Sequence, residues 1–99
     1  MAVGYFLVFR GKGRSWDRSK GRREQVGWDE HAAFMDALVE DGFVVMGGPI
    51  GNGEGEDTLQ VVEAENEGAV RERINDDPWG EDMLVTKSIE PWQVWLRRD

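Results

Sequence analysis

The sequence predicts an α+β fold in which one four-stranded antiparallel sheet carries two helices on one face. Three observations lead to this prediction. Apolar residues alternate with a period of two in several short segments and recur with helical spacing in two others. The order of these segments is β-α-β-β-α-β, and right-handed crossovers turn that order into a split β-α-β arrangement. With 99 residues the chain has room for one domain, residues 1–99, and not for two.

The first strand is predicted over residues 3–10 and is apolar on both faces. Residues 11–26 then form a polar, basic loop, and loops of this length are usually functional or disordered. Two interpretations of the loop stay open: a mobile solvated segment, or a lid whose arginines attract an anionic ligand or contact a partner subunit. Alternation along the strand predicts two rows of side chains, one with Val3, Tyr5, Leu7 and Phe9, and the other with Phe6 and Val8.

The first helix is predicted over residues 28–41, where apolar residues recur at intervals of three and four. Gly27 is the expected N-cap, and Asp29 and Glu30 in the first turn suit the helix dipole. Gly42 is expected to end the helix, because glycine readily takes the left-handed conformation found there.

Two further strands are predicted over residues 43–47 and 58–64. The glycine-rich segment 51–55 between them contains Asn52-Gly53, which is a strong hairpin signal.

The second helix is predicted over residues 67–76, with Asn66 as its N-cap and Pro78 beyond its end. The last strand is predicted over residues 83–89. Glu90-Pro91-Trp92 is expected to interrupt it, and residues 93–96 to continue extended.

Two helices cover only one face of such a sheet, while the first two strands carry large apolar residues on both faces. The second face must therefore be buried by something that the predicted fold does not supply. A partner subunit is the simplest source, so the sequence predicts a homodimer packed sheet against sheet.

Composition excludes several classes of protein. The net charge of −8 argues against nucleic acid as a partner, and the basic charge is local: residues 1–27 carry net +5 and residues 28–99 net −13. The absence of cysteine excludes disulfide scaffolds and cysteine nucleophiles, and a single histidine without EF-hand spacing predicts no metal site. No apolar run is long enough to span a membrane and no signal peptide is recognisable, so a cytoplasmic protein is expected.

His31 is the only histidine and lies in the first turn of the predicted first helix. It can serve as a general acid or base, or as a structural side chain bonded to backbone, and the sequence leaves both open. Asp77 closes the second helix, where the helix dipole disfavours an acid. If Asp77 lay beside His31, it would fix the imidazole tautomer and stabilise the imidazolium formed during proton transfer.

Three tryptophans and a glycine-rich segment are candidate parts of a pocket. Trp28, Trp79 and Trp92 either fill the core or line an aromatic-ligand pocket next to His31. Residues 47–51, which include Gly48-Pro49, match no phosphate-binding loop; they indicate backbone that approaches another element closely, at the rim of the pocket.

Taken together, these segments resemble the YciI-like (YCII-related) family over nearly the whole chain. The resemblance is carried by residues 27–35 (GWDEHAAFM), 42–49 (GFVVMGGP), 77–79 (DPW) and 90–92 (EPW). It implies a ferredoxin-like dimeric α/β barrel with a His–Asp dyad in a pocket. The family's histidine corresponds to His31, its aspartate to Asp77, and its Gly-Pro to Gly48-Pro49. One branch of the family includes a dehydrochlorinase that acts on a chlorinated hydroxyquinol. This chain departs from the shorter members in its basic segment 11–23, which is longer than their first connector.

The sequence therefore predicts a small cofactor-free enzyme. His31 would move a proton on a small cyclic or phenolic acid, Asp77 would orient it, and the three tryptophans would stack on the substrate. Two alternatives stay open: a non-catalytic homodimer that binds a small ligand or regulates another protein, and a purely structural dimer with a filled pocket.

Overall fold

The computed structural model describes residues 3–52 and 55–98. Its strands form one antiparallel sheet in the order β2-β3-β1-β4. This order, with two helices in the connections, is the ferredoxin-like α+β fold, so the predicted fold class is confirmed. The regular elements are β1 (Gly4–Lys12), α1 (Trp28–Glu40), β2 (Val44–Pro49), β3 (Asp57–Ala64), α2 (Glu67–Asn75) and β4 (Leu84–Trp92).

The ends of both helices follow from their capping residues. Gly27 precedes α1 with φ 81°, and Gly42 follows it with the same φ, a backbone conformation that favours glycine. The N–H of Gly42 donates to the Val39 carbonyl, 3.0 Å away. At the start of α2 the Asn66 side chain accepts from the Ala69 N–H at 2.8 Å, as its position predicts.

The core lies between the helices and one face of the sheet. Phe6 and Val8 point inward from β1, as the alternation predicts, and pack beneath the apolar stripes of α1 and α2. Burial of these side chains is what holds the helices on the sheet. The other buried members of this cluster are Leu38, Phe43, Val44, Val62, Ala64, Val70, Ile74 and Ile89.

The predicted interruption of the last strand at residues 90–92 is wrong, because β4 continues through them to Trp92. Pro91 lies opposite Phe6 in β1, and β4 is at the edge of the sheet. An edge strand tolerates proline, since no further strand needs the missing N–H. Residues 93–98 belong to no strand.

The opposite face of the sheet is not covered by any helix in residues 3–52 and 55–98. It carries the second row of β1, Tyr5, Leu7 and Phe9, and their register partners on β3. Trp92 also lies on this side and is 43% exposed. Met46, on the edge strand β2, is 65% exposed and borders both this face and the helix-covered face. None of the helices in the described residues is long and apolar enough to cross a bilayer.

The basic loop between β1 and α1 is tied down at both ends and in its middle. The N–H of Gly13 donates to the Met83 carbonyl at 2.9 Å. Trp16 is only 6% exposed and packs on Trp79 and Leu84. The Gln25 amide donates to three loop carbonyls and accepts from one loop N–H.

The β2–β3 connection is the remaining loop near the site. Ile50 N–H donates to the Asp57 carbonyl at 3.1 Å, which brings the two strands together. Gly53, half of the predicted Asn52-Gly53 turn, lies outside the described residues, as does Glu54.

Candidate active site

The structure brings His31 and Asp77 together, although 46 positions separate them. His31 lies in the first turn of α1, where its N–H donates to the Gly27 carbonyl at 3.0 Å. Asp77 lies just past α2, and its N–H donates to the Ile74 carbonyl at 3.1 Å. The His31 Nδ1 atom is 2.9 Å from both carboxylate oxygens of Asp77. The two residues are 7% and 6% exposed, so the contact is shielded from solvent.

Arg10 is a second partner of Asp77. Its Nη1 lies 2.8 Å from Asp77 Oδ2, and both side chains are 1% exposed. Arg10 continues the inward row of β1 that contains Phe6 and Val8, which is why a charged side chain enters the core at this point. The Trp79 N–H donates to Asp77 Oδ1 at 2.8 Å. The carboxylate is thus bonded to groups from β1, α1 and its own loop.

These contacts keep Asp77 ionised. Burial by itself raises the pKa of the Asp77 carboxyl, but the hydrogen bonds from His31 and Arg10 outweigh it and hold that pKa below its ordinary value. An ionised carboxylate can only accept hydrogen bonds, so His31 Nδ1 carries the proton and donates it. The lone pair of neutral His31 is therefore on Nε2, to which no described residue bonds.

Stacked aromatic rings hold the imidazole in place. The indole of Trp79 lies nearly parallel to the His31 ring, with centroids 4.1 Å apart and planes 14° apart. Trp79 is itself fixed by the edge of Trp16 at 5.3 Å and by a 2.7 Å hydrogen bond from Nε1 to the Val26 carbonyl. A side chain at Gly27 would lie 3.1 Å from that Nε1, so the glycine also makes room for the indole.

The His31 ring borders a cavity of about 200 Å³ between α1, β2 and β3. We call it the His31 cavity. Its apolar wall contains Trp28 and Met35 from α1, and its polar groups are His31, Arg22 and Gln60. The other lining residues are Val39, Val44, Met46, Gly47 and Gly48.

The predicted pocket residues fall into two groups. Trp28 and Gly48 line the His31 cavity. Trp79 stacks behind His31 and does not line it, and Pro49 lines a neighbouring depression at the β2 edge. Trp92 lies opposite Tyr5 on the uncovered sheet face, so the sheet itself separates it from His31.

Of the two glycines of β2, one closely approaches another element, as the sequence predicts for residues 47–51. A Cβ at Gly47 would meet both the Gln60 side chain and the Leu59 carbonyl oxygen at 3.0 Å. At Gly48 the same atom would meet nothing within 4 Å. The close approach is therefore a property of Gly47, and it seats the Gln60 side chain at the cavity.

Sequence reasoning missed Arg10 and Gln60 and included Arg22 only among the loop arginines that would attract an anionic ligand. The period-two pattern that placed Phe6 and Val8 inward also places Arg10 inward, so a signal was present. Gln60 shares its face with Val62 in the same way. Gln60 is 7% exposed, and its Oε1 has no hydrogen-bond partner among the described residues.

The site offers no ready metal ligands. Nowhere in residues 3–52 and 55–98 do three histidine, aspartate or glutamate side chains converge as metal ligands would. The chemistry available from the residues present is proton transfer at His31 Nε2, supported by the Asp77 charge.

No protein-family model and no curated protein sequence matches this chain. Among solved structures it is similar to the 5-chloro-2-hydroxyhydroquinone dehydrochlorinase TftG from Burkholderia phenoliruptrix AC1100, in its complex with 2,5-dihydroxybenzoquinone. The TM-score is 0.60 at 23% sequence identity, over 90% of this chain and 93% of that chain. At this identity the likeness establishes the fold that the two proteins share.

Proposed function

We propose that this protein is a small-molecule acid–base enzyme of the lyase or isomerase type, in which His31 and Asp77 form the catalytic dyad. One observation carries the proposal: a buried His–Asp pair borders a cavity and leaves His31 Nε2 without a partner. The shared fold and the Gly27–Met35 and Gly42–Pro49 segments support membership of the YciI-like family.

The proposed reaction begins when His31 Nε2 takes a proton from the substrate. The bonding electrons stay on the substrate, where they either expel a leaving group or delocalise until the proton is returned at another atom. The imidazolium formed is stabilised by the Asp77 carboxylate, which Arg10 keeps ionised. Dehydrochlorination, named for the similar protein TftG, removes a proton and a chloride and so needs a proton acceptor of this kind.

The cavity favours a small ring as the substrate. About 200 Å³ lies below the roughly 300–1,000 Å³ of pockets that hold drug-sized ligands. The Trp28 indole supplies an apolar wall against which a single ring can pack. We therefore propose a small aromatic or cyclic substrate, and the basic loop beside the cavity favours an anionic one.

We further propose that two copies of the chain pair through their uncovered sheet faces. The partly exposed apolar row of Tyr5, Leu7 and Phe9 and the exposed Met46 and Trp92 support this dimer. An apolar face of this extent is unfavourable in water unless something covers it. The expected result is a dimeric mass by light scattering at micromolar concentration, and a monomeric mass would contradict the pairing.

A second candidate is a ligand-binding module without turnover. The observation in its favour is that the Asp77 carboxylate accepts hydrogen bonds from Arg10, His31 and the Trp79 N–H. With these bonds Asp77 also stabilises the local structure. In this case His31 would contact a bound ligand and transfer no proton.

Activity of the His31→Ala variant distinguishes the two functions. The assay follows chloride release from chlorinated hydroxyhydroquinones and conversion of other small phenolic acids. The catalytic proposal expects a loss of about 10²–10⁴-fold with the Tm retained. Glu30→Gln, on the exposed side of the same helical turn, is the control and should keep full activity. Equal activity in His31→Ala refutes the dyad, and ligand binding without turnover in the wild type favours the module.

A further inference from the structure

Arg22 lies at the edge of the His31 cavity, and its guanidinium has no carboxylate partner in the described part of the chain. It lines the cavity from the loop side, and no described acid lies within ion-pair distance of its guanidinium. The four basic residues that precede it, from Lys12 to Lys20, differ in this respect because each has an acidic partner, whereas the exposed Arg23 has none among the described residues. The pairs are Lys12–Glu56, Arg14–Asp82, Arg18–Glu56 and Lys20–Asp17.

The backbone that carries Arg22 is held in a defined place. Residues Arg22–Glu24 form a single 3₁₀ turn, and the Glu24 carboxylate accepts from the Gly21 N–H at 2.8 Å. The Gln25 amide donates to the carbonyls of Lys20 and Gly21 just before the turn. Arg22 is therefore presented to the cavity by an organised loop.

The guanidinium is also positioned by the aromatic cluster that holds His31. Its central carbon lies 5.0 Å from the centroid of the Trp16 ring. Trp16 meets Trp79 edge-on, and Trp79 stacks on His31. The same buried rings thus set where the cation and the imidazole stand, and both border the cavity.

The partial burial of the Arg22 charge lowers the free energy of unfolding unless an anion binds beside it. Arg22 is half-buried, and that burial lowers the pKa of its guanidinium because the charged form loses solvent. The chain has 20 acidic residues against 12 basic ones, yet none of the acids in residues 3–52 and 55–98 pairs with this cation. An anion bound in the cavity would supply the missing charge.

We infer that Arg22 is the anion-recognition residue of the His31 cavity, and that the ligand it recognises is a single-ring carboxylate. The planar guanidinium matches a carboxylate in bidentate geometry, and the ring of such a ligand would pack against Trp28. This assignment rests on the proposed function in one respect, because both concern the His31 cavity. It names the charged group of the ligand and the residue that binds it, neither of which proton transfer at His31 specifies.

Binding of a matched pair of probes tests this assignment. The probes are 4-hydroxybenzoate and its uncharged analogue 4-hydroxybenzamide, each titrated to millimolar concentration. Binding is followed by the NMR signals of His31, which are unambiguous because the chain has one histidine. We expect wild type to prefer the carboxylate by about tenfold, as for a charge-assisted hydrogen bond in a partly exposed site.

Variants at two adjacent arginines separate a specific contact from overall charge. Arg22→Gln should bind both probes equally, while Arg22→Lys should keep part of the preference. Arg23→Gln makes the same change of charge at an exposed position outside the cavity and should behave as wild type. Unchanged Tm values would show that the loop is intact.

Three outcomes would overturn the assignment: no preference in wild type, an equal loss in Arg23→Gln, or binding of neither probe. Failure of the catalytic proposal looks different, because it appears as full activity in His31→Ala. An Arg22-dependent preference for the carboxylate would persist in that case and would describe a ligand-binding module.

Discussion

The Arg10 guanidinium and the Asp77 carboxylate meet at 2.8 Å across 67 positions of sequence, with both side chains 1% exposed. This ion pair joins the centre of the sheet to the loop that follows α2. Because Asp77 also accepts from His31, the pair determines where the imidazole of α1 stands. The geometry of the candidate dyad is therefore built on a third residue that neither borders the cavity nor transfers a proton.

Removal of Arg10 should destabilise the fold. In Arg10→Met the Asp77 carboxylate would stay buried without its cation, which in comparable cases costs about 3–5 kcal/mol. Chemical denaturation measures the change in the free energy of unfolding. Arg14→Met removes a cation from an exposed pair with Asp82 and should change it by less than about 1 kcal/mol. Similar losses in the two variants would contradict the role assigned to Arg10.

Stability should fall in acid through the protonation of Asp77. Its pKa in the folded protein lies below the ordinary value of 3.8, so the unfolded chain binds the proton more readily. The contribution of Asp77 is thus complete above the unfolded pKa and is lost as the pH falls through the folded pKa.

Two measurements check this acid dependence. Carboxyl NMR should show Asp77 titrating below pH 3.8. The stability of Asp77→Asn should depend less on pH in this range than that of the wild type. A titration midpoint for Asp77 above 3.8 would be inconsistent with its bonds to Arg10 and His31.

Replacement of Trp79 should affect both stability and the environment of His31. Trp79 is 2% exposed, so Trp79→Ala should cost about 3–5 kcal/mol. Trp79→Phe keeps a ring but loses the hydrogen bond to the Val26 carbonyl, and should cost about 1–2 kcal/mol. The NMR signals of His31 should move further in the alanine variant, because the ring stacked on the imidazole is gone. Unmoved signals would show that the two rings are not in contact in solution.

The neighbouring glycines of β2 provide a matched pair of substitutions. In Gly47→Ala the new Cβ would lie 3.0 Å from the Leu59 carbonyl oxygen, which is backbone and cannot easily move. We expect a loss of about 1–3 kcal/mol and a displaced Gln60 side chain. In Gly48→Ala the Cβ meets nothing within 4 Å, so stability should be nearly unchanged. Thermal unfolding of the two variants compares them directly, and equal Tm values would argue against the close approach at Gly47.

Most of the fold was predictable because it depends on local patterns. The capping residues Asn66 and Gly42 and the helical spacing over residues 28–41 each determine local structure by themselves. Pro91 misled the prediction, because its effect depends on whether its strand is central or at an edge. That information is in the strand order and not in the residues near Pro91.

The candidate site was less predictable because its residues come from distant segments. His31 and Asp77 were recognisable by residue type and by a resemblance, whereas Arg10 looked like one more base beside a basic loop. The position of Arg10 inside the core is recognised only when the inward row of β1, which contains Phe6 and Val8, is extended to the next residue on the same face. Trp92 and Trp79 each follow an acid-proline step, which indicates a shared pocket, yet the sheet places them on opposite sides.

The Gln25 side chain forms hydrogen bonds with the backbone of residues 17–21, and these bonds have a consequence for protein engineering. The three residues at the tip, Arg18, Ser19 and Lys20, are exposed and lie outside the aromatic cluster beneath them. New sequences could be grafted at this tip while Trp16 and Gln25 keep the base of the loop anchored. Residues 18–20 can therefore be replaced while the rest of the loop keeps its structure, and this property is useful when a binding specificity is to be redesigned.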